Sequence, residues 1–238
     1  MGRAKEIIVK VIPSKIANEF VRKHHYSGKV VPNSTLHFGC FLDGKLHGVM
    51  SYGSPMDKSK VLPLVQPSLW NEMLELNRMA FDAYLPKYSE SRCIAISIRL
   101  IKKNAPHIKW ILSFSDGTQC GDGTIYRASG FSLTSIKKNS TVGTLDGKVV
   151  ADFTFQKGKH ILQNNGKAKA PDRFEMLKGF QLRYIYLIDK SCKITVPILP
   201  FSKIDEMGAG MYKGQKRKIK CGNVVKEQVS LTSEKVAV

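Results

Sequence analysis

Arg78, Ser91, Asp116 and Tyr126 lie far apart in the chain, yet each falls near the boundary of a predicted element and carries a group suited to transfer chemistry. Asp116 closes the run Trp110–Phe114 and Ser115, where a carboxylate can accept a proton or orient an amine nucleophile. Capping the following loop is its plainer role. Tyr126 sits in the first turn of a short helix, and its phenol can protonate a leaving group or donate to an oxyanion. It would serve as well as a core aromatic. Arg78 shares a predicted strand face with Leu74 and Leu76, so its guanidinium must reach a carboxylate, with Glu75 or Asp116 at hand, or a cleft. Ser89, Ser91 and Arg92 open a helix whose free N–H groups and dipole attract an anionic donor, although serine is also a preferred N-cap. His25, Tyr26 and Ser27 make a second polar cluster at a helix end. Tyr26 could stack on an extruded base and His25 could do acid–base work; a helix C-terminus that favours cations explains them as well. Cys120 lies in the same loop as Asp116, but no adjacent cation lowers its thiol pKa.

The elements that must hold these groups follow from spacing. Ile7–Ile12 is β-rich, and Pro13-Ser14 starts a helix with Ala17, Phe20, Val21 and His24 on one face. Leu36–Leu42 and Lys45–Tyr52 read as strands joined by Asp43-Gly44, a type I′ hairpin signal. Met73–Phe81 is the next strand. The Ser89 helix repeats Ile94, Ile98, Ile101 and Ala105 and adds Cys93, Ile96 and Leu100, which predicts burial on most sides until Pro106 stops it. A strand through Phe114, the loop Gly117–Gly123 and a helix from Thr124 come next; Leu133–Ile136, Val149–Phe155 and Arg183–Ile188 are also strand-like. Lys157–Arg173 reads as a polar, basic linker. Polar groups gather where two strands finish, which is where open α/β sheets place ligands.

Composition narrows the class. The 238 residues carry 38 Lys plus Arg against 19 Asp plus Glu, a formal charge of +19. Such self-repulsion points to a polyanionic partner, with nucleic acid ahead of an anionic membrane surface. Hydrophobic content of 42% suits a globular chain. No apolar run reaches the roughly 20 residues of a spanning helix, and the N-terminus lacks a signal-peptide profile. Glu6 stands where a myristoylation signal needs Ser or Thr. Five cysteines without CxxC spacing indicate neither a disulfide framework nor a zinc module, and His37, His47, His107 and His160 have no metal-ligand spacing. A cytoplasmic protein with reduced thiols and no metal is the expectation.

The runs Glu75–Met79, Ser89–Arg92, Ser113–Gly117 and Gly123–Ala128 resemble those of the bacteriophage Mom family. His25–Lys29, Arg183–Tyr186 and Pro197–Phe201 agree, so the likeness spans most of residues 20 to 215. That family is held to be a divergent branch of the GNAT acyltransferases. The resemblance implies an α/β (α+β) fold with a mixed, mostly antiparallel sheet flanked by helices: a catalytic domain over residues 1–200 and a basic, partly flexible extension over 201–238. It also implies a transferase in the host cytoplasm that puts a carbamoylmethyl group on the exocyclic amine of adenine in double-stranded phage DNA, blocking restriction. Arg78, Ser91, Asp116 and Tyr126 fall at the matching active-site positions. One departure stands out. Ordinary GNAT enzymes hold the CoA pyrophosphate with a glycine-containing loop, whereas Tyr88–Arg92 contains no glycine. The donor is therefore unknown: acetyl-CoA, a CoA-like molecule or an aminoacyl nucleic acid. Two other readings are an ordinary GNAT N-acetyltransferase acting on a protein or small amine, and a non-catalytic nucleic-acid-binding protein.

Overall fold

The computed structural model describes residues 2–151, 162–164, 167–169, 172–220 and 223–225, with side-chain burial for 2–151 and 172–217. Seven strands build the main sheet: β1 (Ile8–Val11), β2 (Ser34–Leu42), β3 (Lys45–Gly53), β4 (Met73–Phe81), β5 (Trp110–Asp116), β6 (Ser132–Lys138) and β7 (Phe180–Leu187). Their order is β1-β2-β3-β4-β5-β7-β6. Every neighbouring pair is antiparallel except β4 and β5. The predicted hairpin forms because Asp43 and Gly44 both take positive φ, 51° and 74°, matching the right-handed twist of β2 and β3. Alternation then sends Val49 and Met50 of β3 to opposite faces.

Helices cover both faces. On one, α1 (Ser14–His24) buries Ala17, Phe20 and Val21 against Val49 and Ala80. On the other, α2 (Ser89–Asn104) sets Cys93, Ile94, Ile98 and Ile101 against Phe38, Met50 and Tyr52. A parallel pair needs a crossover, and α2 is the one that joins β4 to β5. The helix is less buried than its apolar content predicts: Ala95, Arg99 and Lys102 form a solvent face, because only one side of it meets the sheet. The strand expected over Val149–Phe155 is described as far as Ala151. Most of the Lys157–Arg173 stretch and His160 lie outside the described residues. Two short helices, α3 (Thr124–Ala128) and α4 (Ser202–Glu206), follow β5 and β7 in the chain. Ile204 and Ala209 belong to the main core, so the stretch after Phe201 packs on the domain at least to Arg217.

The consequential feature is the parallel pair. β4 and β5 are bonded only from Met73–Leu76 to Trp110–Ser113. Beyond that, β4 stays with β3 out to Gly48–Phe81, while β5 stays with β7 out to Asp116–Gln181. The two strands part like a wedge, and Ser113 Oγ donates to the Leu76 carbonyl at 3.1 Å at its apex. Arg78 lies on one arm of the wedge and Asp116 at the end of the other.

Candidate active site

Two β-strand details aim these side chains. Between Ser51 and Tyr52 the β3–β4 register shifts, so Ser51 pairs with Arg78 and Tyr52 with Leu76, leaving Asn77 extra. That irregularity breaks strict alternation, so Arg78 does not share the Leu74–Leu76 face that the sequence predicts for it. Leu76 enters the core beside Cys93 and Ile94. Arg78 instead donates from Nε to the Lys29 carbonyl and from Nη1 to the Asn77 carbonyl, both at 2.8 Å. Among the described residues no carboxylate lies within ion-pair distance of it. Among the described residues its second terminal nitrogen has no hydrogen-bond acceptor.

Asp116 is held from two sides. Its Oδ1 accepts from the Thr118 backbone N–H at 2.9 Å and from the Thr118 hydroxyl, and its Oδ2 accepts from Gln119 Nε2 at 3.2 Å. The fourth donor comes from far away in the chain: Tyr26 Oη donates to Oδ2 at 3.1 Å. The Tyr26 ring is half-exposed while its hydroxyl is tucked against the carboxylate. Burial, and then the Asp116 charge, raise the Tyr26 phenol pKa, so it remains a donor. His25 lies against that ring, centroid to centroid 4.3 Å. The Ser27 backbone N–H donates to His25 Nδ1 at 3.2 Å, and the Ser27 hydroxyl lies 2.8 Å from the same nitrogen. An Nδ1 that accepts puts the proton of the neutral ring on Nε2. Burial and the nearby Arg78 cation push the imidazole down to about 4, so His25 is neutral at pH 7 and offers an N–H.

Tyr126 is deeper, 7% exposed, with its ring beside Phe131 and Tyr184. Burial pushes its phenol up to about 12 despite a Ser113 hydroxyl beside it, and Cys120 and Glu75 are close enough to add to the shift. It keeps its proton. Cys120 is raised too, by burial and by Asp116, so it is a thiol at neutral pH rather than a thiolate nucleophile. The wedge thus brings Arg78, Asp116, Tyr26 and His25 together, with Tyr126 and Cys120 adjoining.

The α2 start stands apart from this network. Ser89 is fully buried and its hydroxyl donates to the Pro86 carbonyl at 2.5 Å. Ser91 Oγ donates to the Tyr88 carbonyl at 3.3 Å, and Arg92 Nη2 donates to the Lys5 carbonyl at 3.2 Å. Arg92 Nε is buried without a partner among the described residues. Tyr88 itself is left-handed (φ 69°) and 81% exposed, and Glu90 puts an acid in the first turn. A CoA diphosphate needs close approach to bare backbone N–H groups and no adjacent carboxylate. These residues do not fit one.

In the sequence Glu75 offers only a structural partner for Arg78, because a carboxylate in an apolar strand carries no motif. Burial raises its carboxyl to about 7, against the opposing pull of Arg78. The folded protein therefore holds this proton more tightly than the unfolded chain, so stability falls as pH rises from about 4.5 to about 7 and stays lower above. Glu75→Gln is expected to match the wild type near pH 4.5 and exceed it by about 1–3 kcal/mol at pH 8, read from urea unfolding. An equal gap at both pH values would refute the assignment.

Asp122 is the other residue whose role the loop spacing did not reveal. Its side chain is 1% exposed, pairs with Arg217 and lies 3.6 Å from Arg127. It also accepts from the Thr124 hydroxyl at 2.9 Å and from the Met211 N–H at 3.3 Å. Beside it, Gly123 takes φ 83°, and a Cβ there would fall 2.4 Å from the Tyr184 ring. This carboxylate clamps residues 211–217 onto the loop that follows Asp116. Among the described residues no group of three or more His, Cys, Asp or Glu could hold a metal. Among the described residues no helix is long and apolar enough to cross a membrane.

Comparison with known proteins finds likeness in structure and in sequence. Solved acetyltransferases align over about three-quarters of the chain. A spermidine/spermine N-acetyltransferase from Vibrio cholerae shares 7% identity over 78% of this chain and 95% of its own, with a TM-score of 0.46. A GNAT family acetyltransferase from Elizabethkingia anophelis shares 12% over 76% and 98%, at 0.44. Sequence relatives are nearer. The methylcarbamoylase Mom of Escherichia phage Mu is 31% identical over 192 residues, covering 80% of this chain and 79% of that protein. The sequence model of the Mom protein family matches residues 6–203, which include β1 to β7, both covering helices and the whole wedge. On that extent of agreement, the chain belongs to the Mom protein family.

Proposed function

We propose that this chain is a DNA-modifying transferase that places a carbamoylmethyl-type group on the exocyclic amine of adenine, protecting phage DNA from host restriction. The observation that carries the reading is the Tyr26–Asp116 contact beside Arg78 in the β4–β5 wedge, in a chain related to a protein named methylcarbamoylase. The net charge of +19 supports a polyanionic substrate. Because the amine of a stacked, paired adenine is out of reach, the base must leave the helix. The half-exposed Tyr26 ring offers it an aromatic face. Asp116, fixed by four donors, then accepts a hydrogen bond from the amine and takes its proton as the nitrogen bonds to the transferred group and that group's bond to its donor breaks, the electron pair leaving with the donor fragment. The protonated Tyr126 and the free end of Arg78 supply donors for negative charge that develops on the transferred group or its leaving group. Ser89, Ser91 and Arg92 face backbone carbonyls, so in this reading they shape the α2 entrance and a donor's anionic part is held elsewhere.

The decisive measurement is mass spectrometry of nucleosides from cells expressing the chain. Added mass on deoxyadenosine, absent from cells with an empty vector, is the expected result. It reports the group without assuming a donor. An unmodified profile from abundant, folded protein would defeat the proposal. If about six phosphates are neutralised on binding, log affinity for DNA falls with log salt at a slope near −5. An ordinary acetyltransferase would turn over acetyl-CoA without DNA, and the α2 start speaks against it.

A further inference from the structure

A cavity of about 440 Å³ lies on the far side of the Asp116 loop from α1's end of the sheet, walled by β6, the turn before β7 and the segment after α4. Its size falls within the roughly 300–1,000 Å³ of small-molecule sites. Lys138, Lys178 and Lys216 line it together with Phe180 and Met176, and no acidic residue does. All three lysines are exposed, and none forms an ion pair among the described residues.

The walls are built rather than loose. Gly117 N–H donates to the Phe180 carbonyl at 2.8 Å, Asn139 N–H to Gly179 at 2.9 Å, and Asp122 N–H to Met211 at 3.0 Å. Gly179 adopts φ 150° and lies so near Gly117 that a Cβ would sit 2.6 Å from its carbonyl oxygen. Gly117, the residue after Asp116, is part of the cavity wall, so the cavity adjoins the loop that carries the proposed reacting carboxylate.

Resting on the function proposed above, we propose that this cavity seats the DNA strand that flanks the target adenine. Its phosphates lie on Lys138, Lys178 and Lys216, and a neighbouring sugar or base lies on Phe180 and Met176. Exposed lysines around an apolar floor suit a strand that passes through: phosphate contacts set the register while an aromatic face supports a base of any sequence. A small nucleotide offers the same phosphate chemistry, and the experiment separates the two.

Anisotropy of a labelled duplex is measured from about 50 to 200 mM salt with wild type, with Lys138→Gln/Lys178→Gln/Lys216→Gln, and with a control triple, Lys10→Gln/Lys45→Gln/Lys102→Gln. The control removes the same charge from the opposite edge of the sheet and the far end of α2. Each lost phosphate contact lowers the slope of log affinity against log salt by about 0.9. The cavity triple is therefore expected to lose about 2–3 in slope and the control less than 1, with thermal midpoints of both near wild type. Equal slopes for the cavity triple and wild type, or equal losses in both triples, would overturn the assignment. So would an adenosine monophosphate-dependent rise in thermal midpoint that the cavity triple abolishes while its DNA slope stays intact. Failure of the wild type to bind DNA at all would instead remove the proposed function, and this assignment with it.

Discussion

Asp116→Asn is expected to lower adenine modification by at least about 100-fold while the protein stays folded. The exchange keeps the side chain's shape and removes its capacity to take a proton, the step general-base catalysis makes worth about 10²–10⁴ in rate. It also turns one oxygen, an acceptor for Tyr26 and Gln119 or for Thr118, into an N–H donor. Up to about 1–3 kcal/mol of stability goes with that mismatch. Activity must therefore be compared with a thermal melt of the same sample. Tyr26→Phe is the calibrating companion. It removes one 3.1 Å donor and leaves the carboxylate with Thr118 and Gln119, so a far smaller loss is expected. Modified deoxyadenosine within threefold of wild type in Asp116→Asn would exclude proton transfer to this residue. Equal losses in the two variants would make the contact a positioning device.

The largest effect on folding is expected from Asp122→Ala, about 3–5 kcal/mol in urea unfolding. Removing one member of a buried pair leaves the other charged and unpaired, which costs more than the pair itself contributes. Here Arg217 and Arg127 both lose their common carboxylate, and the Thr124 hydroxyl and Met211 N–H lose an acceptor. Arg217→Ala is expected to cost clearly less. Its partner keeps Arg127, Thr124 and Met211, and the arginine side chain is already 23% exposed. Arg217 also reaches Asp205 at 3.2 Å, so the clamp ties α4 and the following turn to the loop after Asp116. The order of the two variants is the critical outcome. If Arg217→Ala proved the more damaging, the segment after α4 would be held by something other than Asp122.

Some residues stated their structural role in the sequence. Asp43-Gly44 between two alternating runs specified a hairpin, because few residues tolerate positive φ and the primed turn matches strand twist. Met73–Phe81 was legible as a strand and Ser14–His24 as an amphipathic helix for the same reason: each period depends only on neighbours within a turn or two. Arg78, Asp116, Tyr26 and His25 were legible as separate candidates, from residue type and from motif resemblance, but not as one cluster, and Ser89, Ser91 and Arg92 bond backbone carbonyls outside it. Nothing local placed Tyr26 on Asp116, ninety positions away.

The chain by itself determined its charge, its strands and helices, and the identity of the groups able to do chemistry, since all of these are carried by residue type and short-range spacing. Tertiary structure alone decided the rest. Strand β7 inserts between β5 and β6, and the β4–β5 pair opens after four residues of register. The irregularity at Asn77 turns Arg78 away from its expected face, Glu75 loses enough water to hold a proton near neutrality, and Arg217 returns to Asp122. Each of these depends on which distant surfaces meet and on how much solvent they exclude, quantities that no window of sequence contains.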